Sequence, residues 1–212
     1  EGLAEGRVPV DGTRQVLGGG AQLDREHGLG DHVGRVRPDD VDREQTAGRG
    51  QRGRTWLSEP GADLMMSVVL KPACLRAEDQ FMLGKLAALA VAEVVRSLVP
   101  GEVRIKWPND VLVERRKIAG ILIKNEVVGE LVQSSIVGIG INGNSTAFPE
   151  ELVATSIQLA SGRMVELDTL QERVCQALDR WWTLFEQRQP GWEAAYTEQL
   201  WARGRWSEML LD

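Results

Sequence analysis

The 212-residue sequence predicts an α+β domain in which a mostly antiparallel sheet of about five strands is packed by helices. Three observations predict it. Short apolar runs bounded by turn residues crowd the middle of the chain. Long stretches of helical period stand among and after them. The gaps between most of the apolar runs are too short for a crossover helix, so neighbouring strands must turn back on one another.

Residues 1–43 come first and carry least pattern. "VLGGGAQLDREHGLGDHVGRVRPDDVD" holds neither period 2 nor period 3.6 over any useful length and reads as loop or poorly ordered polypeptide. The structured unit is expected over 44–212. "ADLMMSVVLKP" is a short apolar run closed by Pro72, as a buried strand requires. "AEDQFMLGKLAALAVAEVVRSLVPG" places Phe81, Leu86, Ala90, Val94 and Leu98 on a core-facing helix stopped by Pro100-Gly101. "VRIKW", "DVLVE", "KIAGILIKNEVV" and "SSIVGIGING" follow as strand-like runs. "LDTLQERVCQALDRWWTLFEQ" opens with Asp168 and Gln171 in capping-box spacing, and Leu170, Val174, Leu178, Trp181 and Phe185 form its stripe. A last helix is expected to run to about Ala202 and to break at Gly204. The tryptophans of these helices read as packing residues.

Composition excludes several classes of function. The formal charge of -6 and a pI near 5.1 argue against a chain that coats nucleic acid or lies on an anionic membrane. No apolar run approaches the roughly eighteen residues of a membrane helix, and "EGLAEGRVPV" has no signal-peptide pattern, so a cytoplasmic protein is expected. Cys74 and Cys175 form no CxxC, and His27 and His32 sit in the unpatterned segment. Neither a zinc site nor a histidine-based catalyst is suggested.

Cationic chemistry must therefore be local. "TAGRGQRGRTW", residues 46–56, interleaves Arg49, Arg52 and Arg54 with glycines, without the periodicity of a helix or strand. Glycines let backbone N–H groups close around an anion, and arginines add paired donors for phosphate or carboxylate oxygens. A solvated surface loop explains the same residues. "KWPNDVLVERRKIAGIL" reads as a hairpin with Lys106 and Lys117 at its two ends and Pro108-Asn109-Asp110 in its turn. Two lysines and an aspartate there could neutralise a polyphosphate, and Gly120 leaves backbone open to a ligand. "GIGING" matches GxGxxG, but Pro149 and a non-helical stretch follow where a dinucleotide fold needs a helix N-terminus.

Taken in order and spacing, "QTAGRGQRGRTW", "KWPNDVLV…RKIAGIL" and "SSIVGIGIN" resemble the motifs of the biotin protein ligases, also called biotin–[acetyl-CoA-carboxylase] ligases, from about Glu44 onward. The resemblance implies ATP, Mg²⁺ and biotin as ligands, biotinyl-5′-AMP as intermediate, and transfer to a lysine of a biotin carboxyl carrier protein. It implies that Gln45 bonds the biotin ureido group. It also implies that Arg49, Gly50 and Gln51 fold over the biotin carboxylate and the adenylate phosphate. Lys117 would bridge carboxylate and α-phosphate, so that Lys117 and Arg49 are the catalytic pair, and Gly120 would meet the ureido ring. Arg52, Arg54, Lys106, Trp107, Asn109, Asp110 and Asn142 would hold the nucleotide, with Asp110 also a Mg²⁺ ligand.

The chain also departs from the pattern. A Ser-Thr-Asn biotin motif is missing upstream of Gln45, Gln51 stands where many relatives have arginine, Asp63 where Asn is common, and Lys124 where Glu is usual. Neither the C-terminal β-barrel nor the N-terminal helix-turn-helix of some relatives is expected, so no operator DNA binding is expected. A homodimer stays open. The alternatives are a lipoate ligase or transferase, a degenerate ligase that only binds ligand or carrier, and an RNA-binding module using "GRGQRGR"; the acidic chain and single copy weigh against the last.

Overall fold

The computed structural model describes residues 13–18, 48–49, 55–56, 58–72 and 75–204. Its elements in chain order are β1 (Thr13–Gly18), β2 (Gly48–Arg49), β3 (Thr55–Trp56), β4 (Leu64–Lys71), α1 (Phe81–Arg96), β5 (Val103–Lys106), β6 (Asp110–Val113) and β7 (Arg116–Val128). They continue with β8 (Leu131–Ile141), α2 (Ile157–Ser161), α3 (Leu167–Glu186) and α4 (Trp192–Glu198). The fold is α+β, as the sequence predicts.

Among the described residues the main sheet has six strands in the order β1-β4-β8-β7-β6-β5, and every neighbouring pair is antiparallel. Five of these are the runs read from the sequence. The sixth, β1, falls in the segment read as loop. Its partners Val68, Val69 and Leu70 belong to a strand with an open edge, and backbone pairing needs no side-chain pattern. The connections are tight. Glu114 (φ 46) and Arg115 (φ 68) join β6 to β7 in the two-residue turn that demands positive φ at both positions.

Strand alternation sorts the two faces of the sheet. Leu64, Met66, Val68 and Leu70 of β4 and Val137, Ile139 and Ile141 of β8 point into the core. Helix α1 covers that face and is itself covered by α3 and α4, which is why it is buried nearly all round, from Leu83 to Val95. Ala87, Ala88, Ala90 and Ala92 let it approach closely, and a buried leucine such as Leu89 contributes about 2 kcal/mol.

Some expectations are corrected. Helix α3 is capped by Glu166, whose carboxylate accepts from Asp168 N and Thr169 N, instead of by a box opening at Asp168. Its buried stripe runs through Ala177, Leu178 and Trp182, while Trp181 turns to donate to Glu93. The last helix ends at Glu198, not near Ala202, because 199–201 leave the helix to bond along β5. Among the described residues no helix is long and apolar enough to cross a membrane.

Candidate active site

The uncovered face of the central strands is where side chains have been removed. Register places Asp110, Gly120, Gly140 and Met65 in one row across β6, β7, β8 and β4. A Cβ on Gly120 would stand 2.8 Å from the Trp56 ring, and one on Gly140 would also stand 2.8 Å from it. The two glycines are thus the floor on which the indole lies, and any larger residue there would lift it. Trp56 Nε1 is buried and finds no hydrogen-bond partner among the described residues, so the cleft holds an unused donor.

Lys117 enters this groove from the start of β7. Its Nζ lies 2.7 Å from Asp110 Oδ1 and 5.5 Å from the centre of the Trp56 ring. Its stem runs over Gly120, where a Cβ would meet Nζ at 3.3 Å. The ammonium therefore has a carboxylate on one side, an aromatic face on another and a side-chain-free floor beneath. Such a site favours a cation and suits an anionic group brought beside it.

The backbone around Lys117 is tied down by a second segment. Lys117 N donates to Val153 O (2.8 Å), and Thr155 N donates to Lys117 O (2.9 Å). Asn142, buried at the end of β8, donates from Nδ2 to Thr155 O at 2.9 Å while its N donates to Ile118 O. This leaves Asn142 Oδ1 as the accepting end of the amide. Asn109 docks the turn before Asp110, accepting from Ile121 N (2.9 Å) and donating from Nδ2 to Ile121 O (3.2 Å).

Asp63 has a role the sequence did not reveal. Its carboxylate is buried, with Oδ1 accepting from Gly143 N (2.8 Å) and Ser145 N (3.3 Å) and Oδ2 accepting from the hydroxyls of Ser145 (2.6 Å) and Ser58 (3.0 Å). Four neutral donors spread the charge, and the turn after Asn142 is fastened to the start of β4.

The structure brings Lys117, Asp110, Gly120 and Asn109 together and sets Asn142 behind them. Lys106 stands opposite Asp110 in the β5–β6 register, but among the described residues it pairs with no carboxylate. Lys106 and Trp107 are exposed, and the Lys106 ammonium stands over Trp201 at 6.0 Å. For the Arg/Gly-rich stretch, the expectation of no strand is corrected by the two-residue ladder β2–β3, in which Gly48 pairs with Trp56 and Arg49 with Thr55. The backbone of Arg49 is therefore one pair away from the residue that covers the groove. Gln45, Gly50, Gln51, Arg52 and Arg54 lie outside the described residues. Sequence reasoning missed Trp56 as a site residue, although an aromatic closing a glycine-rich stretch is itself a signal.

The chain is similar to known ligases in sequence and in fold. The profile of the Biotin/lipoate A/B protein ligase family matches residues 39–142. The bifunctional ligase/repressor BirA of Bacillus spizizenii is 42% identical over 127 residues, covering 58% of this chain and 38% of that protein. The biotin–[acetyl-CoA-carboxylase] ligase of Paracoccus denitrificans is 38% identical over 149 residues, covering 66% of this chain and 60% of that protein. The chain thus spans less than two thirds of the length of these relatives. Among solved structures, the biotin protein ligase from Aquifex aeolicus in complex with biotin and ATP aligns with a TM-score of 0.64 at 27% identity, covering 76% of this chain and 67% of that one. The Leishmania major enzyme in complex with biotinyl-5-AMP aligns with a TM-score of 0.61 at 26% identity, covering 80% and 73%. These likenesses place residues 39–142 in the biotin/lipoate A/B protein ligase family and support a biotin protein ligase catalytic domain.

Proposed function

We propose that this chain condenses biotin with ATP to biotinyl-5′-AMP and pyrophosphate, and then passes the biotinyl group to a lysine of a biotin carboxyl carrier protein in the cytoplasm. The observation that carries the reading is the Lys117 ammonium, held 2.7 Å from Asp110, beside the Gly120 backbone and 5.5 Å from the centre of the Trp56 ring. In the first step a biotin carboxylate oxygen attacks the α-phosphorus and the bond to the pyrophosphate breaks. Two anions repel as they approach, and a fixed cation between them lowers that cost most where the groups are closest. Lys117 is that cation. In the second step the carrier amine attacks the acyl carbon and AMP leaves, so no nucleophile from this chain is needed.

The remaining roles are those the family resemblance implies. The glycine row and the Trp56 indole suit a small, largely apolar ring system, and the unused Nε1 donor suits a ring heteroatom or carbonyl. Asn142 Oδ1 would accept from the adenine amine. Arg49, Gly50, Gln51, Arg52 and Arg54 would close over the carboxylate and phosphates, with Gln45 at the ureido end, and Lys106, Trp107 and Asn109 would serve the phosphates and base. Among the described residues no cluster of three metal-ligating side chains is present, which fits Mg²⁺ arriving on the triphosphate with Asp110 as a single protein ligand. Bound there, Mg²⁺ would offset phosphate charge.

The test is biotin-dependent exchange of labelled pyrophosphate into ATP by the purified chain. Exchange that needs biotin is the expected result. Exchange that needs lipoate instead, or none in a chain that binds neither ligand, would overturn the reading.

A further inference from the structure

Lys106 and Lys117 are both cations of the KWPND hairpin, yet they are held in different ways. Lys117 is paired with a carboxylate, whereas among the described residues no carboxylate pairs with Lys106; the Trp201 ring stands 6.0 Å from its ammonium. An aromatic face holds an ammonium in place without donating a formal negative charge, so the lysine keeps its full attraction for an incoming anion.

Trp201 is itself fixed by the backbone. After α4 the chain runs beside β5, with Ile105 N donating to Gln199 O (2.9 Å) and Trp201 N donating to Ile105 O (2.7 Å). The contact is a parallel bridge from Ile105 to Leu200 on what would otherwise be the open edge of the sheet. Side chains add to the seam. Arg104 Nη1 donates to Glu198 O (3.0 Å), and Arg96 Nη2 donates to Gln199 Oε1 (2.8 Å). The next residue of the hairpin is also supported from this side, because Phe81 lies edge-on at 6.4 Å to both Trp107 and Tyr196 of α4.

We infer that Trp201, delivered by the strap of residues 199–201, is a positioning residue that aims the Lys106 ammonium at the anionic phosphates of the nucleotide. The inference rests on the ligase reading for the identity of that anion. A four-carbon lysine stem on an exposed strand end would otherwise sample several rotamers, and only a fraction of them would meet the phosphates.

The full chain is compared with W201F, W201L, K106A and the K106A/W201L double variant. Leucine preserves apolar cover without a π face, and phenylalanine preserves both. In the exchange assay W201L raises the KM for ATP about two- to fivefold, the range of an exposed cation–π contact, with kcat and the KM for biotin unchanged and W201F close to the parent. In the K106A background W201L adds nothing. A second readout is acylation of Lys106 by N-hydroxysuccinimidyl acetate, followed by peptide mass spectrometry, in which W201L labels about two- to fivefold faster and W201F does not. Unchanged labelling in W201L overturns the proposal, as does an equal rise in the KM for ATP with and without Lys106. A parent chain without biotin-dependent exchange refutes the ligase reading instead, and the labelling comparison still decides whether Trp201 holds Lys106.

Discussion

Lys117 reaches past its register partner Leu112 to place its Nζ 2.7 Å from Asp110 Oδ1 on the neighbouring strand. The pair is only partly shielded from water, with side chains 36% and 20% exposed, so it contributes about 1 kcal/mol or less to folding. Its value lies in the reaction. Lys117→Ala is expected to lower adenylate formation by about 10²-fold or more while the melting temperature changes little. Pyrophosphate exchange beside a thermal melt checks both, and normal exchange in a folded variant would remove Lys117 from the mechanism.

The glycine floor gives a second prediction. Gly140→Ala places a methyl group 2.8 Å from the Trp56 ring, so either the indole lifts or the strand shifts. The expected cost in stability is about 1–3 kcal/mol, and biotin binding weakens about tenfold or more because the covering ring no longer lies flat. Calorimetric titration of biotin into Gly140→Ala and Gly120→Ala decides it. Parent affinity in both would mean that the glycine row and Trp56 do not form the biotin site.

Asp63 should behave as a positioning residue with graded tolerance. Asp63→Ala strips partners from Gly143 N, Ser145 N and two hydroxyls and is expected to cost about 2–4 kcal/mol. Asp63→Asn keeps one oxygen for the two amides and offers N–H to hydroxyls that can rotate to accept, so most of that loss is recovered. Urea unfolding of the two variants measures the difference; equal losses would show that an amide cannot replace the carboxylate at this hub.

Tyr196 yields a pH prediction that one chromophore can read. Burial raises its pKa above the ordinary 10.0, and its hydroxyl has no hydrogen-bond partner among the described residues. The folded state therefore holds its proton more tightly than the unfolded chain does. The stabilisation is complete below pH 10 and is lost as pH rises through the raised folded value. It is the chain's single tyrosine, so absorbance at alkaline pH follows it alone. Tyr196→Phe is expected to match or exceed the parent in stability at neutral pH and to flatten the alkaline decline. An ordinary tyrosine titration in the folded protein would contradict this.

Much of the scaffold was legible because it is written in local periodicity. The run from Leu64 to Lys71 is a short apolar stretch whose burial alternates, and α1 is apolar over most of its circumference because other elements cover it on several sides. Strand β1 and the β2–β3 ladder were not legible, since a backbone that pairs with an existing strand edge needs no pattern of its own. The end of α4 was misplaced for a related reason: nothing local tells Gln199 and Leu200 to leave the helix, whereas Ile105 across the gap offers both a donor and an acceptor.

The residues alone determined the α+β class and the meeting of glycine, lysine and aspartate in one hairpin, because spacing and side-chain type dictate these. Tertiary structure decided how each lysine is held. Pairing of β6 with β7 sets Lys117 beside Asp110, whereas the strap beyond α4 draws Lys106 toward Trp201. It also decided that Gly120 and Gly140 share one floor under Trp56, since cross-strand register joins residues far apart in sequence and a missing side chain matters only when something rests in the space it leaves.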